Sequence, residues 1–335
     1  MGPCTVAAGY DIMTAAIRAH AVLAQAGLTG AGRPMRVANS LNEVWFVGPY
    51  VVRVNTRGDR LTLAHERDVL QALPRGVPAP LLVDYGECSF GEWLVVSRAP
   101  GEELSRFWPT MSEEQREEAI TTLGHGMREL HHVNARALGL DRAPFLESGA
   151  TECPHRLPVD RLLDLLAQVA RFHFVDPALM RSAVEQLIEA TAYLDPDSET
   201  LVHGDLHFEN VLWDGTALTA IIDWEWSRPG PPDLDLDVLL HSLADPAAHV
   251  GLDYAAPRRR DFDNVVTWLR DAYPELFAHA HLAQRLFVYR LAYDAPDLLR
   301  HPPDRPTEKL PWHHPYLRIQ RLVEGRSDLA WILAN

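Results

Sequence analysis

The chain has 335 residues, 47% hydrophobic and 23% charged, with 31 lysine plus arginine against 46 aspartate plus glutamate and a formal charge of −15. That apolar fraction excludes disorder as the main state, and the length exceeds what one core usually organises, so two lobes are expected. The acidity excludes non-specific binding to nucleic acid or anionic lipid and favours cationic partners through long-range steering.

In chain order, Ile12, Ala16, Ile17, Val22 and Leu23 recur at helical spacing and stop at Gly27, which predicts an opening amphipathic helix over residues 10–26. Val44-Trp45-Phe46-Val47 and Tyr50-Val51-Val52-Arg53-Val54, separated by Gly48-Pro49, predict a hairpin. A helix over residues 61–73, stopped by Pro78 and Pro80, and strands at 81–83 and 93–96 complete a small sheet carrying one helix. After Pro100-Gly101 no convincing strand signal returns before residue 200. Ser112 and Gln115 have capping-box spacing and open a helix that runs toward His132. Residues 159–194 give two helical segments split at Asp176-Pro177, residues 262–300 give another pair, and a proline-rich stretch leads to a final helix over 317–333.

Cys4, Cys88 and Cys153 are odd in number and form no CxxC pair, so neither a disulfide framework nor a cysteine zinc site is expected. The start, Met1-Gly2-Pro3-Cys4-Thr5-Val6, has no basic signal-peptide front, and no apolar run is long enough to span a bilayer. A soluble, unanchored cytoplasmic protein is the expectation. Lys309 is the sole lysine, so any mechanism that needs a cation elsewhere must use arginine.

The most informative stretch is residues 200–226. Residues 211–213 and 218–222 read as two strands closed by Asp214-Gly215, a strong hairpin turn. Such a hairpin brings Asn210 and Asp223 together at its open end, with Asp205 on the loop five residues before Asn210. An amide oxygen and a carboxylate are what octahedral Mg²⁺ takes from protein when phosphate and water supply the rest. A second carboxylate held off the metal can accept a proton from a hydroxyl.

Protein kinases place a catalytic aspartate and a metal-binding asparagine at the ends of D-x-x-x-x-N, then a second metal-binding aspartate after a strand. Asp205, Asn210 and Asp223 stand at that spacing. The runs His203-Gly204-Asp205, Ile222-Asp223-Trp224-Glu225 and Gly230-Pro231-Pro232-Asp233-Leu234-Asp235-Leu236 resemble the aminoglycoside phosphotransferase family rather than protein kinases.

The resemblance runs over residues 36–240 and implies an α+β, bilobal, protein-kinase-like fold. Residues 1–100 would form the small nucleotide-binding lobe around an antiparallel sheet, and residues 101–335 a larger, mainly helical lobe with the catalytic loop and acceptor pocket. The implied reaction moves the γ-phosphoryl group of ATP or GTP, with Mg²⁺, to a hydroxyl of a small molecule. Asp205 would be the catalytic residue, Asn210 and Asp223 would hold the metal, and Arg53 with Glu66 would position the phosphates. Ser40 and Asn42 belong to the implied phosphate-covering loop, and Ser97 and Ala99 to the implied adenine-binding hinge. His203 and Asp235 would brace the catalytic loop, with His207, Phe208, Glu209 and Glu225 beside the acceptor.

The chain departs from the family pattern in three places. Arginine stands at position 53 where lysine is usual, keeping the charge but changing its geometry. The phosphate-covering loop Ser40-Leu41-Asn42-Glu43 has no glycine, and His207-Phe208-Glu209-Asn210 replaces the commoner His-Pro-Gly-Asn.

Blander readings exist for each signal. His203 and His207 could be zinc ligands, Arg53 an exposed strand residue and Glu66 a solvated helix residue. Trp224, Trp226 and Phe208 suit a core as well as a substrate platform. Glu225, Asp233, Asp237, Asp245 and Asp253 read mostly as solvated acids, some of which could line a pocket for a cationic acceptor. An amine-bearing antibiotic is the first expectation for that acceptor. A sugar, amino alcohol or amino acid comes next, and a pseudokinase without turnover is the rival from another class.

Overall fold

Alternation along the first hairpin decides which residues meet which helix. The computed structural model describes residues 5–37, 42–56, 62–140, 157–195, 197–244 and 258–329, with residues 5–14, 62 and 259 as backbone alone. Strands β1 (Met35–Val37), β2 (Glu43–Val47), β3 (Tyr50–Asn55), β4 (Leu82–Cys88) and β5 (Gly91–Ser97) form one antiparallel sheet in the order β1-β2-β3-β5-β4. Side chains alternate between the two faces of a strand. Val52 and Val54 of β3 and Trp93 and Val95 of β5 therefore share a face, where they pack on Ala15, Ala19, Val22 and Leu23 of helix α1 (Thr5–Gln25). Leu94 and Val96 share the other face and pack on Leu63 of helix α2 (Thr62–Ala72). Arg53, one residue out of step with Val52 and Val54, is thus turned toward α2 and Glu66.

The second lobe is mainly helical. After the two-residue strand β6 (Glu102–Glu103) and the short helix α3 (Leu104–Phe107) come α4 (Glu113–His131), α5 (Val159–Val169) and α6 (Pro177–Ala190). Beyond them lie β7 (Leu201–Val202), β8 (Val211–Trp213), β9 (Leu218–Ile221), β10 (Arg228–Pro229), α7 (Asp233–Ala244), α8 (Val265–Ala272), α9 (Leu282–Arg300) and α10 (Pro315–Val323). Ser112 and Gln115 make both halves of the capping box of α4, and Asp176 caps α6 with Pro177 at its first position. Trp108, Ile120, Leu123, Met127 and Leu130 are fully buried in the core that these helices share.

Two expectations change. Strand β6, unforeseen after Gly101, pairs with β8 and makes the hairpin a three-stranded sheet. The last helix ends at Val323 rather than running to 333: Gly325 adopts a left-handed φ of 65°, and the Arg326 N–H reaches back to the Arg321 carbonyl at 2.7 Å, a closure that stops a helix. The lobes are tied beside the hairpin. Ile221 donates to the Pro78 carbonyl at 2.8 Å, Thr219 Oγ1 to the Pro100 carbonyl at 2.6 Å, and the His65 ring meets the Ser227 carbonyl at 2.6 Å. No helix among the described residues is long and apolar enough to cross a membrane.

Candidate active site

The hairpin β8–β9 sets the centre of the site. Its turn is held by the Asp214 side chain, which accepts from the backbone N–H groups of Thr216 and Ala217. At the open end the Ile222 N–H donates to the Asn210 carbonyl at 2.9 Å, which places Asp223 beside Asn210. Asn210 Nδ2 donates to the Asp205 carbonyl at 2.8 Å and lies 3.3 Å from Asp205 Oδ2. With its amide nitrogen directed at Asp205, Asn210 turns Oδ1 away from it.

Asp223 is the one non-glycine among the described residues with a positive φ, 67°. That region costs an L-residue roughly 1–2 kcal/mol, least for aspartate and asparagine, so surrounding contacts must hold it. One such contact is Arg53 Nη2 on Asp223 Oδ1 at 2.8 Å. The same guanidinium grips both oxygens of Glu66 at 2.6 Å and lies 3.7 Å from Glu225. Burial opposes the charge on Arg53, but the three carboxylates outweigh it and raise its pKa. Burial pushes Glu66 up to about 7 against the pull of Arg53, and burial with the neighbouring Asp223 pushes Glu225 up to about 7. Arg53 Nε is buried with no hydrogen-bond partner. One cation thus serves three acids, and one of its donors remains unengaged.

Asp205 is braced from below. The fully buried Asp235 accepts from the backbone N–H groups of His203 and Gly204, each at 2.8 Å, and faces His131 Nε2 at 3.1 Å. Burial works against its charge, yet His131, His203 and the Gly204 N–H hold the carboxyl below its usual range. Gly204 sits at φ 81°, and a Cβ there would lie 2.4 Å from both the Trp226 carbonyl and an Arg228 nitrogen, so only glycine fits. Burial lowers the pKa of His203 despite the neighbouring Asp235 and Asp205. Its Nε2 lies 3.0 Å from the Ile222 carbonyl and its Nδ1 3.3 Å from the Asp205 N–H, which fits the tautomer protonated at Nε2. The ring therefore joins the Asp205 loop to the segment entering Asp223. His207 behaves oppositely: burial lowers its pKa, but Asp205, Glu209 and Asp223 raise it overall, with Nε2 at 3.6 Å from Asp205.

Several sequence candidates are placed differently. Phe208 is buried against Trp108, ring centroids 4.7 Å apart, with Phe262 beyond; it is core, not a substrate platform. Trp224 is core as well, its indole donating to the Ile221 carbonyl. Asp233 and Asp237 are not solvated acids but buried partners of Arg285 and Arg290 on α9, at distances down to 2.6 Å. Residues four apart share a helix face and residues two apart point oppositely. Asp233 and Asp237 therefore meet α9 while Asp235 meets the His203-Gly204-Asp205 loop. Ser97 gives its N–H to the Leu81 carbonyl and receives the Leu81 N–H on Oγ, whereas Ala99 makes no hydrogen bond to described residues. Asn42 reaches Glu225 at 3.4 Å, and Glu209 is half exposed beside His207. Ser40, Asp245, Asp253, Cys4 and Cys153 lie outside the described residues.

Sequence reasoning missed His131, Arg285 and Arg290, which carry no local motif. A hard-oxygen pair, the Asn210 amide and the Asp223 carboxylate, suits Mg²⁺ completed by phosphate and water. Both ring nitrogens of His203 are engaged, by the Ile222 carbonyl and the Asp205 N–H, as a loop brace uses them.

The family model described as Phosphotransferase enzyme family matches residues 36–263. No curated protein matches the chain in sequence. Among solved structures, the streptomycin–ATP ternary complex of APH(2")-IIa is similar at a TM-score of 0.58 and 13% identity, covering 92% of this chain and 96% of that one. ADP-bound aminoglycoside phosphotransferase APH(2'')-Ib follows at 0.57 and 13%, covering 92% and 98%. A thermostable mutant of aminoglycoside phosphotransferase APH(4)-Ia in ternary complex with ADP and hygromycin B gives 0.52 and 17%, covering 93% and 94%. At these identities the likeness is one of fold.

Proposed function

The chain belongs to the phosphotransferase enzyme family, and we propose that it moves the γ-phosphoryl group of ATP or GTP to a hydroxyl of a small molecule, in the cytoplasm. The observation that carries this reading is the convergence of Asp205, Asn210 and Asp223 on a site that also holds the Arg53–Glu66 pair at 2.6 Å. In the transfer the acceptor oxygen bonds the γ-phosphorus, the bond from that phosphorus to the β–γ bridging oxygen breaks, and a nucleoside diphosphate leaves. Asp205 orients the hydroxyl and takes its proton, and its side chain is about one-third exposed, so an acceptor can reach it.

Asn210 and Asp223 are the groups that would hold Mg²⁺, which when bound neutralises charge on the phosphates. Arg53, oriented by Glu66, keeps one guanidinium donor unengaged in a site crowded with carboxylates. Ala99 is the hinge residue whose backbone stays open to adenine, since Ser97 is engaged with Leu81. His203, His131 and Asp235 position the catalytic loop without touching substrate. Because phosphoryl transfer has a loose transition state, the work asked of these residues is alignment and charge neutralisation.

An amine-bearing antibiotic as acceptor is supported by the net charge of −15 and by the streptomycin and hygromycin B held by the similar enzymes. The pseudokinase reading is supported by the glycine-free loop and the arginine at position 53, and opposed by the intact Asp205, Asn210 and Asp223. The deciding experiment is mass detection of a phosphorylated product across an acceptor panel, with Asp205→Ala beside the wild-type chain. Loss of the base lowers kcat by roughly 10² to 10⁴ with nucleotide binding little changed. Undiminished turnover in that variant removes Asp205 from its role.

A further inference from the structure

A cavity of about 180 Å³ opens between the end of α7, helix α9 and helix α10. Its walls include His241, Arg290, Tyr293, Asp294, Arg318 and Arg321, and Trp312 and Asp328 line it as well. Apart from the α7 residues, these walls lie beyond residue 263, where the family match ends, so they belong to the part of the chain free to set specificity. One wall of the cavity, Tyr293, lies within electrostatic reach of Asp205. Helix α7 carries Asp235 under Asp205 and, six residues or about 9 Å further along the helix, His241 in the cavity wall. Tyr293, its ring tilted against that of His241 with centroids 4.2 Å apart, has its phenol raised by burial and by nearby carboxylates, Asp205 among them.

The hydrogen bonds around this cavity are unevenly used. Arg290 is held by Asp237, Asp328 and His241, and Arg318 by Asp294, Asp297 and the His313 carbonyl. Each lining carboxylate therefore already has its own guanidinium. The Arg321 guanidinium has none: no hydrogen bond or ion pair joins its side chain to any described residue, and burial together with Arg318 and Arg326 holds its pKa below the ordinary value despite Asp294 and Asp328. Counted with Asp237 and Asp297, the cluster has three arginines and four aspartates, so its preference does not follow from net charge. It follows from which group still has bonds to make. A polyamine entering here meets no disengaged carboxylate, whereas an anion meets a whole guanidinium fork. Beside it Trp312 is 58% exposed, an unusual place for a large ring on a soluble surface and a ready platform for a flat or apolar ligand face.

We propose that this cavity receives the acceptor, and that the acceptor is a hydroxyl compound carrying a carboxylate or phosphate group that Arg321 binds while Trp312 covers its apolar face. The inference rests on the phosphotransferase reading above and replaces only its amine-bearing acceptor with an anionic one: the acceptor hydroxyl is still phosphorylated from the nucleotide, with its proton going to Asp205.

The test offers Mg·ATP with four sets of hydroxyl compounds of similar size: hydroxy acids, sugar phosphates, neutral polyols and aminoglycosides. Product is read by mass and nucleotide binding by calorimetry. Product from the hydroxy acids or the sugar phosphates is expected, and which of the two identifies the anion. Arg321→Gln then raises the acceptor KM about 10- to 100-fold, the loss of one charge-assisted contact, with a smaller change in kcat and nucleotide affinity retained. Arg321→Lys restores part of that loss. Products confined to aminoglycosides or neutral polyols, or a KM unmoved by Arg321→Gln, overturn the anionic acceptor and leave the transfer reaction standing. So does bound nucleotide with no product from any set, for the anionic sets. A chain that binds no nucleotide overturns the reading beneath.

Discussion

Two buried ionic clusters in this molecule solve the same problem in opposite ways. Around Arg53 one guanidinium serves Glu66, Asp223 and Glu225, so three acids share a single cation. Around α9, Arg290 and Arg318 are each matched to aspartates, and among the described residues the Arg321 guanidinium is left with donors to offer. A cluster short of positive charge is stabilised by a cation and by whatever brings one; a cluster with a whole guanidinium to spare is stabilised by an anion. The first suits a metal–nucleotide site and the second an acidic acceptor, although both carry more carboxylates than guanidinium groups.

Removing the hub of the first cluster should have the largest effect on stability. Arg53→Leu leaves two buried carboxylates, Glu66 and Glu225, and the half-buried Asp223 without their cation, which costs about 3–5 kcal/mol in urea unfolding, while Arg53→Lys costs less because the charge survives and only the two-pronged grip is lost. A loss below about 1 kcal/mol for Arg53→Leu would mean that water or protons already neutralise those acids, and the contrast between the clusters would fail.

The second cluster should respond more weakly and with a distinct pH dependence. Burial pushes Asp294 up to about 6 against the pull of Arg318 and Arg290. A carboxyl whose folded pKa is raised contributes stability below its unfolded value and loses that contribution as pH rises through the folded value. Arg318→Leu should therefore cost about 1–3 kcal/mol at pH 8 and visibly less at pH 5, where Asp294 can take a proton in place of its partner. Equal losses at both values would show Asp294 to be fully ionised throughout.

A surface control fixes the scale. Ser112→Ala removes one half of the capping box at the start of α4, away from both clusters, and should cost about 1 kcal/mol at either pH. If that substitution rivals Arg318→Leu at pH 8, the second cluster adds nothing beyond an ordinary cap.

The first lobe was legible because its signals are local. The period-two alternation of Val52, Arg53 and Val54 predicts that Arg53 faces away from the valines, and Glu66 lies only 13 residues on, in the helix that covers that face. The capping box at Ser112 and the Asp176-Pro177 start of α6 were equally local. Gly325 was a legible stop signal that the apolar spacing of residues 317–333 overrode; its left-handed backbone ends α10 at Val323. Asp233 and Asp237 were misread for the opposite reason. Acids in an acidic run look solvated until the arginines 52 and 53 residues later are folded against them.

By itself the sequence determined the chemistry available: Asp205, Asn210 and Asp223 at kinase spacing, a hairpin to bring them together, and arginine wherever a cation was needed. These follow from short-range rules of turn, strand and helix that few neighbouring residues can satisfy differently. The tertiary structure alone decided the left-handed backbone of Asp223, the seating of Asp235 between His131 and the catalytic loop, the burial of Phe208 against Trp108, and the disengaged Arg321. Each depends on partners brought together from distant parts of the chain. Whether a charge ends buried, paired or waiting for a ligand is set by its whole surroundings, which only packing assembles.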